Sequence, residues 1–383
     1  MVTTDSEVKR PNLIYVPIEP LTERYTESWY KNFPPLFCEA GFNVKVIDGV
    51  PLLNNEIKVG TFLDINSTCA YKWSQLQRLS LMFYNGELNN NDVIFFGDLE
   101  FWGLEGVRLL AQMNKVDVKI AAFLHAASYT REDAFEIAAP YQKYTEVGWI
   151  AACDHVYVGS QYHLEAVYDR RLAPLGAERL IDRLHVTKNP LFAGDYPRAA
   201  VKGVKKEKRI ALTNRLDVEK RPHKTLQLFR KLKAAYPEWS FVVTSGRSAL
   251  RGTDAKAIEL AREMEEQGEL EIKVNLTKDQ YHEELQRSAF MVTHSIEENY
   301  GYCIAEAMLH GCVPIMRRGL SHNEFINDER CFFDNLEHSV TVTSRLMQAF
   351  DAYPDGSTLP DVSGLDVNGA NRIVNNLRRL AGT

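Results

Sequence analysis

Residues 288–320 read SAFMVTHSIEENYGYCIAEAMLHGCVPIMRRGL, and this stretch decides the fold. Residues 289–293 are a short apolar run suited to a buried strand. Residues 294–302 are polar and carry Glu297, Glu298, Asn299 and Gly301, which makes them a loop. Residues 304–309 open a helix that Gly311 ends as its C′ residue, and residues 312–316 start the next strand. Glu298 falls on the loop and Glu306 in the first turns of the helix, with seven residues between them. A strand–loop–helix–strand unit of this kind belongs to an open parallel α/β sheet. Both carboxylates are then expected to face the crevice at the carboxyl ends of the strands, where such sheets bind ligands.

Outward from this unit the same alternation recurs. Strands are expected at residues 12–18, 42–47, 92–96, 118–124 and 155–158, and residues 184–187 with Asn189-Pro190 end the first domain. Helices are expected from near Thr22 to Ala40, over 71–84, through 107–113, ending at 152, and after Ser160, a good N-cap. Residues 193–208 (AGDYPRAAVKGVKKEK) lack hydrophobic periodicity and read as a linker. The alternation restarts with strands at 209–213, 239–244 and 270–274, and helices at 222–236, 255–267 and 278–288. Helices over 339–350 and 367–380 follow. The expected fold class is α/β, with two doubly wound, Rossmann-like domains facing a cleft. The divisions are 1–192 for the acceptor side, 193–208 for the linker, 209–360 for the donor side, and 365–383 for a last helix.

At 383 residues, with 45% apolar and 25% charged side chains, the chain can build two full cores. A net charge of −6 provides no global attraction to nucleic acid or anionic membranes, though it allows a local basic face. Six scattered cysteines, none in a CxxC, read as reduced thiols in a cytoplasmic protein. The polar start MVTTDSEVKRPN lacks the apolar core of a signal peptide, and no apolar run is long enough to span a membrane.

The segment from Glu298 through Glu306-Ala-Met, followed by Gly311-Cys-Val-Pro314, resembles the E-x7-E signature of retaining glycosyltransferases. It is most similar to the family-4 type with the glycosyltransferase B fold. The resemblance implies that Glu298 lies against the donor sugar and that Glu306 accepts hydrogen bonds from the nucleotide ribose. Asn299, Tyr300 and Gly301 then complete the donor side. A second segment, Thr213-Asn-Arg215-Leu-Asp-Val-Glu-Lys220-Arg221-Pro222, places two cations between a strand and a helix N-terminus, a combination that attracts anions. It resembles the family's G-R-L-x-x-x-K-G segment, so Arg215 and Lys220 inherit the donor diphosphate. Asn214 and Arg221 stand where the family has glycines, which makes the loop bulkier. Gly246 permits close approach of the nucleotide, and Arg247 is a third phosphate candidate.

In the first domain, His125 matches the family position for a histidine near the transferred sugar. Asp98 and Glu100 end the strand DVIFF and suit acceptor hydroxyls or their deprotonation. Arg24 and Tyr25 are acceptor or phosphate candidates, in a loop that lacks the family's glycines. No D-x-D triplet or metal-ligand spacing occurs, so metal-independent transfer from a UDP- or GDP-sugar is expected. Residues 202–224 hold nine Lys or Arg against three acidic residues, read as a basic surface along the cleft. In size, and in its unusual first domain, the chain also resembles phage-encoded glycosyltransferases that modify hydroxymethylated bases in double-stranded DNA. That resemblance implies a flipped base near Tyr25, Trp29, Trp102 or Tyr129, in the host cytoplasm. A glycan, lipid or small-molecule acceptor is the alternative, as are a nucleotide-sugar epimerase and a non-catalytic nucleotide-sugar-binding protein.

Overall fold

The computed structural model describes residues 10–21, 24–51, 65–131, 141–200 and 204–382. The first sheet holds β1 (Asn12–Val16), β2 (Asn43–Val46), β3 (Val93–Phe96), β4 (Lys119–Leu124), β5 (His155–Val158) and β6 (Leu184–Val186). All are parallel, in the order β2-β1-β3-β4-β5-β6. Alternate residues of one strand serve two cores. Ile14, Val16, Ile94 and Phe96 pack on one face, and Leu13, Tyr15, Val93 and Phe95 on the other. That is why these strands read as unbroken apolar runs.

The helices of this half are α1 (Tyr25–Glu39), α2 (Ile65–Tyr84), α3 (Leu104–Met113), α4 (Gln142–Ala152) and α5 (Gln161–Val167). The expected start of α1 at Thr22 lies outside the described residues. Ser160 caps α5 as expected, its Oγ accepting from His163 N at 3.0 Å. Helix α2 begins at Ile65 rather than Tyr71, because Ser67 and Thr68 are buried and continue the inward face with polar side chains.

The second sheet holds β7 (Glu207–Leu212), β8 (Ser240–Thr244), β9 (Glu271–Lys273), β10 (Ser288–Thr293), β11 (Val313–Arg317) and β12 (Phe332–Phe333). It is also parallel, in the order β12-β11-β10-β7-β8-β9. Its helices are α6 (Pro222–Ala235), α7 (Ala255–Glu266), α8 (Lys278–Arg287), α9 (Tyr302–Leu309) and α10 (Leu336–Ala352). The connector carries 3₁₀ turns at Ala193–Asp195 and Pro197–Ala200, and β7 already starts at Glu207. The last helix, α11 (Gly369–Leu380), puts Ala370, Ile373, Val374 and Leu377 into the core formed by Trp29, Phe33 and Phe37 of α1. Among the described residues, no helix is long and apolar enough to cross a membrane.

Strand order reverses between β1 and β3 in the first sheet and between β7 and β10 in the second. Chain leaving a parallel strand on either side of such a point turns opposite ways and opens a crevice. The segments after β7 and β10 are the two motifs read from the sequence.

Candidate active site

The turn after β7 is fixed by its own charges. Arg215 pairs with Asp217 at 2.7 Å and Glu219 at 3.2 Å, with about half of its side chain exposed. Lys220 ends a 3₁₀ turn (Val218–Lys220) and reaches across to the neighbouring loop. Its Nζ donates to Glu298 Oε2 at 2.7 Å and to the Glu297 carbonyl at 3.1 Å. Arg221, standing where the family has glycine, adopts φ +47° with its side chain in solvent. Asn214 is buried and donates to Thr293 Oγ1 at 3.3 Å. The bulkier loop thus keeps a tight left-handed turn into α6.

The loop after β10 is held from both sides. Ile296 N donates to the Glu219 carbonyl at 2.9 Å, which ties it to the turn after β7. Gly301 sits at φ +106°, and a Cβ there would meet Ile304 Cδ1 at 3.0 Å and Glu298 Cγ at 3.3 Å. The first domain holds the same loop. Asn299 Nδ2 donates to the His125 carbonyl at 3.1 Å, and Ser160 Oγ donates to the Asn299 carbonyl at 2.5 Å. Gly159 lets Tyr300 approach closely, since a Cβ would lie 3.0 Å from Tyr300 Cβ and 2.2 Å from Asn189 Oδ1. Tyr302 stacks on Tyr25 with centroids 4.9 Å apart and accepts from Trp29 Nε1 at 3.2 Å.

On the first-domain side, His125 follows β4 and packs between Tyr25 and Trp29. Its Nε2 lies 2.9 Å from the Gly97 carbonyl, a partner that only accepts, so Nε2 carries the proton and Nδ1 a lone pair. Burial draws the imidazole below its ordinary range, which keeps it neutral at pH 7. Asp98 Oδ2 pairs with buried Lys72 at 2.8 Å, and its Oδ1 accepts from Glu100 N at 3.1 Å. Lys72 also donates to the Glu100 carbonyl and lies 5.1 Å from the Trp102 ring centre. Glu100 accepts from Gln142.

These residues line one cleft enclosing about 1340 Å³ of space, part of it open to solvent. Arg24, Tyr25, Asp98, Glu100 and His125 come from the first domain; Arg215, Lys220, Glu298, Asn299, Tyr300 and Gly301 come from the second. Gly246 and Arg247 are exposed and do not line it. Glu306 does not line it either, contrary to the expectation that both carboxylates face the crevice. Its helical position turns it toward α8, where Tyr281 donates to Oε2 at 3.1 Å and Lys278 lies 3.9 Å from Oε1. Burial raises its carboxyl. Sequence reading missed Lys72, Glu219 and Glu297. Lys72 had a signal, a cation directly beside Trp73 of the apolar spacing of α2, and it is buried at the end of β3.

The described residues of the 202–224 run do not form the expected basic surface along the cleft. Lys206, Lys208 and Arg209 sit at the amino end of β7, away from the crevice. Lys206 donates to the Leu285 and His310 carbonyls, and Arg209 is buried against Glu271 and Glu284. Arg171 is paired with Glu146 in the first domain. Among the described residues of that basic run, Arg215 and Lys220 alone line the cleft.

Residues 198–336 match the family model for Glycosyl transferases group 1. The match covers β7 through the start of α10 and so contains both motifs and the switch point between them. No curated protein matches the chain. Among solved structures, the catalytic domain of starch synthase IV from Arabidopsis thaliana, bound to ADP and acarbose, is similar over 98% of this chain and 100% of that one, with TM-score 0.64 and 12% identity. The N-terminal domain of Candida albicans trehalose-6-phosphate phosphatase covers 97% of each chain at TM-score 0.64 and 13% identity. The pneumococcal O-GlcNAc transferase GtfA, in complex with UDP and GlcNAc, covers 82% of this chain and 61% of its own, at TM-score 0.55 and 14% identity. The architecture is that of the glycosyltransferase B fold, with two Rossmann-like domains, the second of which carries the match to the group 1 model.

Proposed function

We propose that the cleft binds a nucleoside-diphosphate sugar and transfers the sugar to a hydroxyl acceptor with retention of anomeric configuration. The observation that carries this is Lys220 bonded to Glu298 at the switch point of the second sheet, beside Arg215. Two fixed cations at a helix N-terminus suit a diphosphate, and they oppose the charge that grows on the leaving group as the glycosidic bond breaks. The acceptor oxygen bonds to the anomeric carbon on the face the phosphate leaves, and the departing phosphate oxygen takes the acceptor proton. Glu298, held in place by Lys220, orients the donor sugar, and the neutral His125 accepts from a sugar hydroxyl through Nδ1. Asp98 has both oxygens engaged and fits an orienting role better than that of a base. Glu306, with Tyr281 beside it, takes the ribose role once a donor lies along α9.

Glu19, Asp98 and Glu100 line the first-domain half of the cleft together with Arg24, Lys72 and Arg131, so charges of the two signs balance there. Carboxylates accept from hydroxyls, and a lining without an excess of cations does little to draw a phosphodiester backbone, so the acceptor side suits a neutral polyol better than DNA. The test offers UDP-, GDP- and ADP-sugars with neutral oligosaccharides, small polyols or hydroxymethylated DNA, with products weighed by mass spectrometry. The expected result is a sugar added to a polyol with donor configuration retained, reduced at least about a hundredfold in Glu298→Gln. Transfer to DNA overturns the acceptor assignment, and an isomerised nucleotide sugar formed without acceptor favours an epimerase. No conversion of any donor overturns the reading.

A further inference from the structure

Resting on that reading, we propose that Arg170 and Tyr162 of the first domain are positioning residues, which set Glu298 through the buried carboxylate of Glu297. Glu297 precedes Glu298 and is 1% exposed. Its Oε1 accepts from Arg170 at 3.0 Å and from Tyr162 Oη at 2.9 Å, while Oε2 has no protein partner among the described residues. Arg170 also donates to Tyr162 Oη at 3.0 Å, so the three groups form a closed triangle. The main-chain carbonyl of Glu297 holds Lys220 Nζ at 3.1 Å, and the same Nζ holds Glu298 Oε2 at 2.7 Å. The path therefore runs from Arg170 through Glu297 to Lys220 and Glu298, and hydrogen bonds of the structure make its links.

The first turn of α5 concentrates the contacts between domains. Ser160 donates to the Asn299 carbonyl, Tyr162 binds Glu297, and the Gln161 and Tyr162 amides donate to Glu324 of the second domain, each at 3.0 Å. Glu324 is held in turn by Lys188 at 2.5 Å. A carboxylate buried this deeply is costly without its cation, so Glu297 holds its place only while the first domain is docked. Closure of the cleft and correct placement of Glu298 are thus one event, and the loop is set for chemistry only when both domains are in place. Neither Arg170 nor Tyr162 lines the cleft.

The full-length protein is compared with Arg170→Met, Arg170→Lys, Glu297→Gln and the Arg170→Met/Glu297→Gln pair. Hydrogen–deuterium exchange of the peptide spanning 294–301 is read first, because it needs no turnover. Arg170→Met is expected to speed exchange there at least tenfold, with β7 and β8 unchanged, and Arg170→Lys to restore much of the protection. With a donor that the wild type turns over, kcat is expected to fall at least tenfold in Arg170→Met while the dissociation constant for UDP stays within about threefold. The pair is expected to be no worse than Arg170→Met alone, since both substitutions break one contact. Unchanged exchange in 294–301, or additive losses in the pair, overturns the proposal. If the wild type turns over no nucleotide sugar, the functional reading fails, and the exchange result still decides whether Arg170 holds the loop.

Discussion

At the scale of single residues, Glu298 is placed by its neighbours rather than by its own backbone. Lys220 grips one oxygen, and Gly301 clears the space beside its Cγ. Gly301 also works at φ +106°, a conformation that disfavours any side chain. Gly301→Ala is therefore expected to lower stability by about 1–3 kcal/mol, read from the urea midpoint. It is also expected to depress turnover at least tenfold with the fold retained, because the added methyl presses on both Ile304 and Glu298. Unaltered turnover would show that the Glu298 side chain need not keep this position. Arg221 shows the converse. The sequence suggested that losing a glycine would change the loop, yet the arginine takes φ +47° and the turn survives.

At the scale of elements, two buried histidines link strand and helix packing to pH. His163 sits in the first turn of α5 against Tyr129, and His294 follows β10 between Thr225 and Ser339. Burial draws both imidazoles from the ordinary 6.5 to about 3. The folded state then holds fewer protons than the unfolded state below about pH 6.5, so stability is full above that value and is lost as pH falls. The two groups together set a limiting slope of roughly 3 kcal/mol per pH unit. Chemical denaturation at stepped pH values should show this decline between about pH 6 and 4, and His294→Gln should flatten it. A stability curve level to pH 4 would contradict neutral, buried histidines.

The elements themselves were largely legible, because buried parallel strands are continuous apolar runs and few other segments of this chain are. Boundaries were less so. Helix α2 starts with Ile65-Asn66-Ser67-Thr68, whose polar side chains hide a helical face that only packing reveals. The connector looked featureless, yet Tyr196 is buried beside His282, because a single aromatic can anchor a segment without any period.

At the scale of the whole molecule, the site is unevenly readable. The second-domain half lies in two contiguous motifs because both flank one switch point, so local sequence carries nearly the whole arrangement. The first-domain half is assembled from single residues far apart in the chain, among them Glu19, Lys72, Asp98 and His125. Their meeting depends on the β2-β1-β3-β4 order, which no local pattern encodes. The same topology explains the misread basic run, since charge before a parallel strand lies at the wrong end of the sheet. The most direct measurement of the central claim is titration calorimetry of UDP, GDP and ADP into the wild type and into Arg215→Ala and Lys220→Ala. At least one nucleoside diphosphate should bind, and each substitution should weaken it about 10- to 100-fold, as loss of a charge-assisted hydrogen bond requires. Absence of binding by all three, or binding indifferent to both substitutions, would contradict a donor site at this switch point.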